Sequence, residues 1–167
     1  MFAGYLKGSM SRGNSKIKKQ PIVPDSKYGS AQIAKFMNYV MLNGKKTIAQ
    51  KIVYGALEKA AEKLGAEPVD IFDQVIRNVG PMVEVKSKRI GGANYQVPME
   101  VSRERKNILA MRWVLGAARG TKGRPMAERL ATELVNAYNG EGVAIKKKDE
   151  THRMAEANKA FAHFARF

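Results

Sequence analysis

The 167-residue chain has no cysteine, one tryptophan, two histidines, and half as many acidic residues (15) as Lys and Arg (30). Each shortage removes a class of chemistry. Without cysteine there can be no disulfide framework, thiolate zinc site or cysteine nucleophile, which suits a reducing compartment. His152 and His163 lie eleven residues apart, and His152 has only Glu156 one turn further on. Lacking a third ligand, the pair does not make a metal site, and no metal or other cofactor is expected. No apolar run approaches the roughly twenty residues that span a bilayer. The start, MFAGYLKGSMSRGNSKIKKQ, has neither a secretory apolar region nor a cleavage site with a mature chain behind it. The expectation is a soluble protein of the cytoplasm, or of an organelle, with no membrane partner.

Positive charge is what the chain has in excess. A net charge of +15 works against a compact state through self-repulsion, and a polyanion is the usual compensation. The charge is also segregated. Residues 1–29 hold six basic side chains against Asp25 alone, and residues 105–126 hold Arg105, Lys106, Arg112, Arg119, Lys122 and Arg124 with no acid. Residues 58–73 reverse the balance, with Glu58, Glu62, Glu67, Asp70 and Asp73 against Lys59 and Lys63. Such segregation fits one polyanion-binding side and one side facing water.

The first 24 residues have no sustained apolar period and read as a basic arm. From there to the end, 25–167 reads as one helical domain. Ser30 caps a first helix with Ile33, Phe36, Met37, Val40 and Met41 inward, ended by Asn43-Gly44. A second helix starts near Thr47, striped by Ile48, Ile52, Ala56, Ala60 and Leu64, and stops at Gly65. Pro68 opens a third with Val69, Phe72, Ile76 and Val79, closed by Gly80-Pro81. The period then changes to two. Val83 and Val85, then Tyr95, Val97, Met99 and Val101, alternate with polar residues around a Gly91-Gly92-Ala93-Asn94 turn. This predicts a β-hairpin at about 82–102, projecting as an arm, with Pro98 restricting its strand to an edge. A fourth helix follows Ser102, with Ile108, Met111, Leu115 and Ala118 inward. Pro125 opens a fifth, with Ala127, Leu130, Ala131, Leu134 and Tyr138 inward, and a sixth lies within 148–164, striped by Met154, Ala157, Phe161 and Phe164. Trp113 is assigned to the core. The fold class is mainly α: a single six-helix domain with a protruding two-stranded hairpin and an extended basic N-terminal arm.

Arg105, Arg112 and Arg119 recur every seven residues, so they stack along one helix face about 10.5 Å apart, a row that can follow a phosphate backbone. A solvated helix face would ordinarily mix signs, and this one does not. The hairpin sets Lys86, Lys88 and Arg89 beside a glycine turn, with Asn94, Tyr95 and Gln96 supplying hydrogen bonds and a stacking face. Edge protection would explain its lysines but not that turn. Lys146-Lys147-Lys148 precedes Asp149 and Glu150, so part of its charge can be answered locally. Catalytic patterns fail. Gly44-Lys45-Lys46-Thr47 lacks the earlier glycine of a phosphate loop, whose place Tyr39 takes, and follows a helix. Gly116, Gly120 and Gly123 end a helix instead of opening one. The carboxylates are expected on exposed faces away from the basic surface. DNA readout by one recognition helix is disfavoured because the basic groups are spread over an arm, a hairpin and several helices. A membrane-active helix is disfavoured because the long second helix is acid-rich.

PDSKYGS (24–30), LNGKK (42–46), IVYGALE (52–58), VEVKSKRIGGANYQVPMEV (83–101), AMRW (110–113) and KKKDETHRMAEANKAFAHF (146–164) together resemble the family of ribosomal protein seven of the small subunit, in its bacterial or organellar form. The resemblance runs from about Met10 to Phe164, so 1–9 is expected to be an extra leader within the arm. It implies a non-enzymatic protein that binds the 3′ major domain of small-subunit ribosomal RNA and nucleates assembly of the head. It also implies a place at the subunit interface near exit-site tRNA and the mRNA path, with ribosomal proteins nine and eleven as neighbours. The RNA-binding residues it implies are Lys16, Lys18, Lys19, Lys27, Lys35, Lys45, Lys46, Lys86, Lys88, Arg89, Arg103, Arg105, Lys106, Arg112, Arg119, Lys122 and Arg124. Near tRNA it implies Gly91, Gly92, Ala93, Asn94, Lys146, Lys147, Lys148 and Arg153.

Overall fold

A computed structural model describes residues 21–166. Most of the basic arm, with Lys16, Lys18, Lys19 and the 1–9 leader, lies outside the described residues. Six α-helices and one hairpin follow in order: α1 (Ala31–Val40), α2 (Lys46–Leu64), α3 (Pro68–Val79), β1 (Val83–Ile90), β2 (Ala93–Glu100), α4 (Arg103–Gly120), α5 (Met126–Tyr138) and α6 (Val143–Ala157), then a 3₁₀ helix at Lys159–Arg166. Among the described residues no helix is long and apolar enough to cross a membrane.

Local chemistry sets most of the boundaries. Ser30 Oγ accepts from Ile33 N at 3.3 Å and Ser102 Oγ from Arg105 N at 3.4 Å, so both serines cap helices as their positions predict. Gly65 ends α2 in the left-handed conformation, φ 66°. The segment before α1 is tied down by buried Asp25, whose carboxylate accepts from Lys27 N, Tyr28 N, Ser30 N and Tyr54 Oη. The 25–30 segment is thereby fixed onto α2 before the first helix starts.

The core is one cluster shared by all six α-helices. It includes Ile33, Phe36 and Met37 of α1, Val53 and Leu57 of α2, Phe72 and Val75 of α3, Met111 and Val114 of α4, Leu130 and Leu134 of α5 and Ala144 of α6. Helix α5 packs against α2, α3 and α4 and is the central element. The expected stripes are met closely in α1 and α3. In α2 the buried line is Ala49, Val53, Ala56, Leu57 and Ala60, one position round from the expected one, and Ile48 is exposed.

The sixth helix departs most from expectation. It begins at Val143, five residues before the expected start, and buries Ala144, Ile145, Thr151 and Ala155, whereas Met154 and Ala157 are exposed. Phe161 and Phe164 belong to the 3₁₀ helix and pack on Tyr95, each ring 5.3 Å from it between centroids. The start of α6 is fixed from a distance. Buried Glu133 of α5 accepts from Ala144 N at 2.9 Å, satisfying an N–H that the new helix cannot bond itself.

The hairpin is an isolated two-stranded antiparallel sheet with Val83 opposite Glu100 and Ile90 opposite Ala93. Its turn is tighter than expected. Gly91 (φ 57°) and Gly92 (φ 90°) make the turn alone, while Ala93 and Asn94 already pair with Ile90 and Arg89. Two successive positive-φ residues match the right-handed twist of the strands, and glycine adopts them without strain. The base of the hairpin rests on α6, where His152 Nε2 accepts from Met82 N at 3.1 Å.

Candidate nucleic-acid interface

The arginine row lies on α4 as its spacing predicts, but each member has acquired a partner. Arg105 donates from Nε (3.3 Å) and Nη2 (3.2 Å) to Glu84 Oε2, joining α4 to β1. Arg112 lies over the Tyr39 ring, 5.6 Å from its centroid. Arg119 Nη2 stands 3.4 Å from the carbonyl oxygens of Tyr39 and Val40, bonds that suit a cation at the C-terminus of α1. Arg112 and Arg119 are exposed and keep donors toward solvent; Arg105 is committed to the hairpin joint.

Glu84 corrects the expectation that carboxylates avoid the basic side. Its side chain is 12% exposed and pairs with both Lys86 (3.1 Å) and Arg105 (3.2 Å). Burial pushes the carboxyl up, yet the two cations outweigh it and hold Glu84 below its ordinary range. The hairpin is thus fixed to α4 by an ion-paired joint, and Arg89 and Lys86 remain exposed along it. The Tyr95 face is occupied by Phe161 and Phe164, and Lys88 Nζ donates to the carbonyls of Phe164 (3.2 Å) and Ala165 (3.4 Å). The C-terminal segment therefore covers the surface expected to stack on bases.

Around α4 the described cations form two groups. At its C-terminal half, Arg112 and Arg119 share the α1–α4 edge through Tyr39, and exposed Lys45 and Lys46 follow α1 across the Asn43-Gly44 turn. The next loop presents exposed Lys122 and Arg124 and is held by Arg129, which donates to Thr121 O. At the N-terminal half of α4, Arg103 and Lys106 line a hollow of about 290 Å³ together with Gln32, Asp73 and Arg77. Arg77 was not among the expected contacts, because in sequence it sits alone on the third helix. Lys35 is half-buried on α1. Lys27 is paired with Glu58 and lies over the Tyr28 and Tyr54 rings, so it braces the 25–30 segment.

A groove of about 520 Å³ opens between α4 and the start of α6, lined by residues that include Arg112, Trp113, Gly116, Gly120, Val143 and Lys147. Trp113 is thus half-buried, packed against the core as expected and also lining the groove. In the lysine run, Lys148 Nζ donates to Asn78 O at 2.8 Å at the end of α3, and Lys147 pairs with Glu150 at 2.7 Å. Lys146 and Arg153 are exposed on α6, and Gly91, Gly92, Ala93 and Asn94 are exposed at the hairpin end. His163 Nδ1 lies 2.9 Å from Ala160 O, and among the described residues no group of three or more His, Asp and Glu is placed to hold a metal.

An exposed cationic edge built from α4, the loop after it and the turn after α1 suits phosphate binding. The family model for ribosomal protein S7p/S5e matches residues 11–159. The small ribosomal subunit protein uS7 of Treponema denticola is 56% identical over 146 residues, 87% of this chain and 94% of that protein. The uS7 proteins of Chloroflexus aurantiacus (54% over 155 residues, 93% and 98%) and Thermotoga neapolitana (56% over 146 residues, 87% and 94%) are similar to a like degree. The chain, with its helical core, hairpin and cationic α4 edge, belongs to the ribosomal protein S7p/S5e family.

Proposed function

We propose that the chain is a structural component of the small ribosomal subunit that binds its ribosomal RNA and assigns no side chain a catalytic step. The observation that carries this reading is family membership over residues 11–159, joined to an exposed cationic edge in which Arg112, Arg119, Lys122 and Arg124 have no acid among them in sequence. The relatives' own names assign them to the small subunit. In finer detail, the RNA bound is the 3′ major domain, where the protein nucleates the subunit head. The hairpin end (Gly91–Asn94) and α6 (Lys146, Arg153) then face exit-site tRNA and the mRNA path, and ribosomal proteins nine and eleven of the small subunit are the neighbours. The family resemblance supports these assignments, and so does the exposure of the hairpin end and of Lys146 and Arg153. The protein works in the cytoplasm, or in an organelle, as part of the ribosome.

Cosedimentation with small subunits at high salt, followed by chemical footprinting of their RNA, tests both levels. Retention with protections confined to the 3′ major domain is the expected result. Retention with protections elsewhere would leave the subunit assignment and remove the domain; release at low salt would remove both.

A further inference from the structure

We infer that the groove between α4 and α6 is a seat for a single unpaired nucleotide of RNA, its base against Trp113 and its phosphate held between Arg112 and Lys147. This rests on the RNA-binding reading above and adds a specific site to it. The groove's volume of about 520 Å³ falls within the roughly 300–1,000 Å³ of pockets that take small ligands. Trp113, half-buried and packed against the core on its other side, lines the groove, and indole is a stacking partner for any base. Exposed Val143 supplies apolar area on the α6 side. None of the side chains lining it is acidic, whereas two cations do line it.

The cations are available for a phosphate. Arg112 offers its guanidinium face to Tyr39 and, among the described residues, makes no hydrogen bond, so its N–H edge is open. Lys147 is tied only to Glu150 in an exposed pair about half accessible on both sides, the kind of pair that contributes little and yields to a stronger anion.

The floor points the same way. Gly116 and Gly120 lie in α4 with ordinary helical backbone, exposed, and a Cβ at either would meet nothing within 4 Å. Nothing inside the protein requires glycine there, although glycine is a poor helix former. Their effect is to leave bare backbone beside Trp113, open to close approach by a flat ring. A helix from a protein neighbour could use bare backbone as well, but it would bring no phosphate to Arg112 and Lys147.

The test uses the full chain and small-subunit ribosomal RNA, with Trp113, the sole tryptophan, as an internal reporter. Binding is followed by filter retention, Trp113 emission by titration, and base contact by ultraviolet crosslinking with mass-spectrometric mapping. Gly116→Leu and Gly120→Leu each fill the groove from an exposed position, and thermal melting confirms that they fold. Arg119→Ala lies outside the groove. The site predicts quenching of Trp113 on RNA binding, a Trp113–nucleotide crosslink, loss of both in either leucine variant, and about tenfold weaker binding. It predicts that Arg119→Ala weakens binding while quenching at saturation is unchanged. Undiminished RNA affinity with an unquenched, uncrosslinked Trp113 overturns the nucleotide seat and leaves the RNA-binding reading in place. Quenching that needs added small-subunit proteins instead of RNA assigns the groove to a protein neighbour and also overturns it. Absence of any RNA binding removes both readings.

Discussion

Two glutamates show how burial and partner decide what a carboxylate does. Glu133 is 6% exposed, and burial pushes its carboxyl above the ordinary value near 4.5, against the pull of the Ala144 and Val143 N–H groups. A raised folded pKa means that the native state favours the protonated form. Its contribution is therefore full below about pH 4.5 and is lost as pH rises through the folded value. Glu84 has the opposite sign: its lowered pKa contributes stability at neutral pH that is lost as pH falls below about 4.5. Glu133→Gln keeps an oxygen for Ala144 N but no longer titrates. Urea midpoints measured from pH 4 to 8 should therefore show the wild type falling relative to this variant as pH rises. Glu133→Ala leaves the Ala144 N–H buried without an acceptor and should cost about 1–3 kcal/mol at every pH.

At the scale of elements, α4 and the hairpin give separable predictions. Gly116 lies in a helix interior with open space at its Cβ position, so Gly116→Ala should stabilise the fold by about 0.5–1 kcal/mol, read as a higher melting temperature. Glu84→Ala cuts the tie from β1 to Arg105. Amide exchange should quicken across Val83–Glu100 and stay unchanged in α2 and α5, which do not touch that joint. The elements legible in the sequence were those whose periodic stripe also bears the burial, as in α1 with Ile33, Phe36, Met37 and Val40. Helix α6 was misplaced because its start depends on a carboxylate ten residues earlier, and its buried side is mostly small, with Ala144, Thr151 and Ala155. The arginine row was legible from spacing alone. Its partners were not, since Glu84, Tyr39 and the carbonyls of α1 come to it only through tertiary packing. The same limit hid Arg77 and left Tyr95 looking free, although Phe161 and Phe164 cover it.

For the whole molecule, a net charge of +15 favours a polyanionic partner, and the account rests on which face meets it. Several cations are spent internally: Arg105 on Glu84, Lys27 on Glu58 and Lys148 on Asn78 O. Arg112 and Arg119 remain exposed at the α1–α4 edge and are the phosphate contacts we propose. The most direct test is the salt dependence of binding to an isolated 3′ major domain RNA, for the wild type and for Arg112→Ala/Arg119→Ala. A wild-type slope of log K against log salt on the order of −4 or steeper, flattened by about 1–2 in the double variant, is the predicted result. An unchanged slope in the double variant would contradict the account, because the α4 edge would then not be the face that meets RNA.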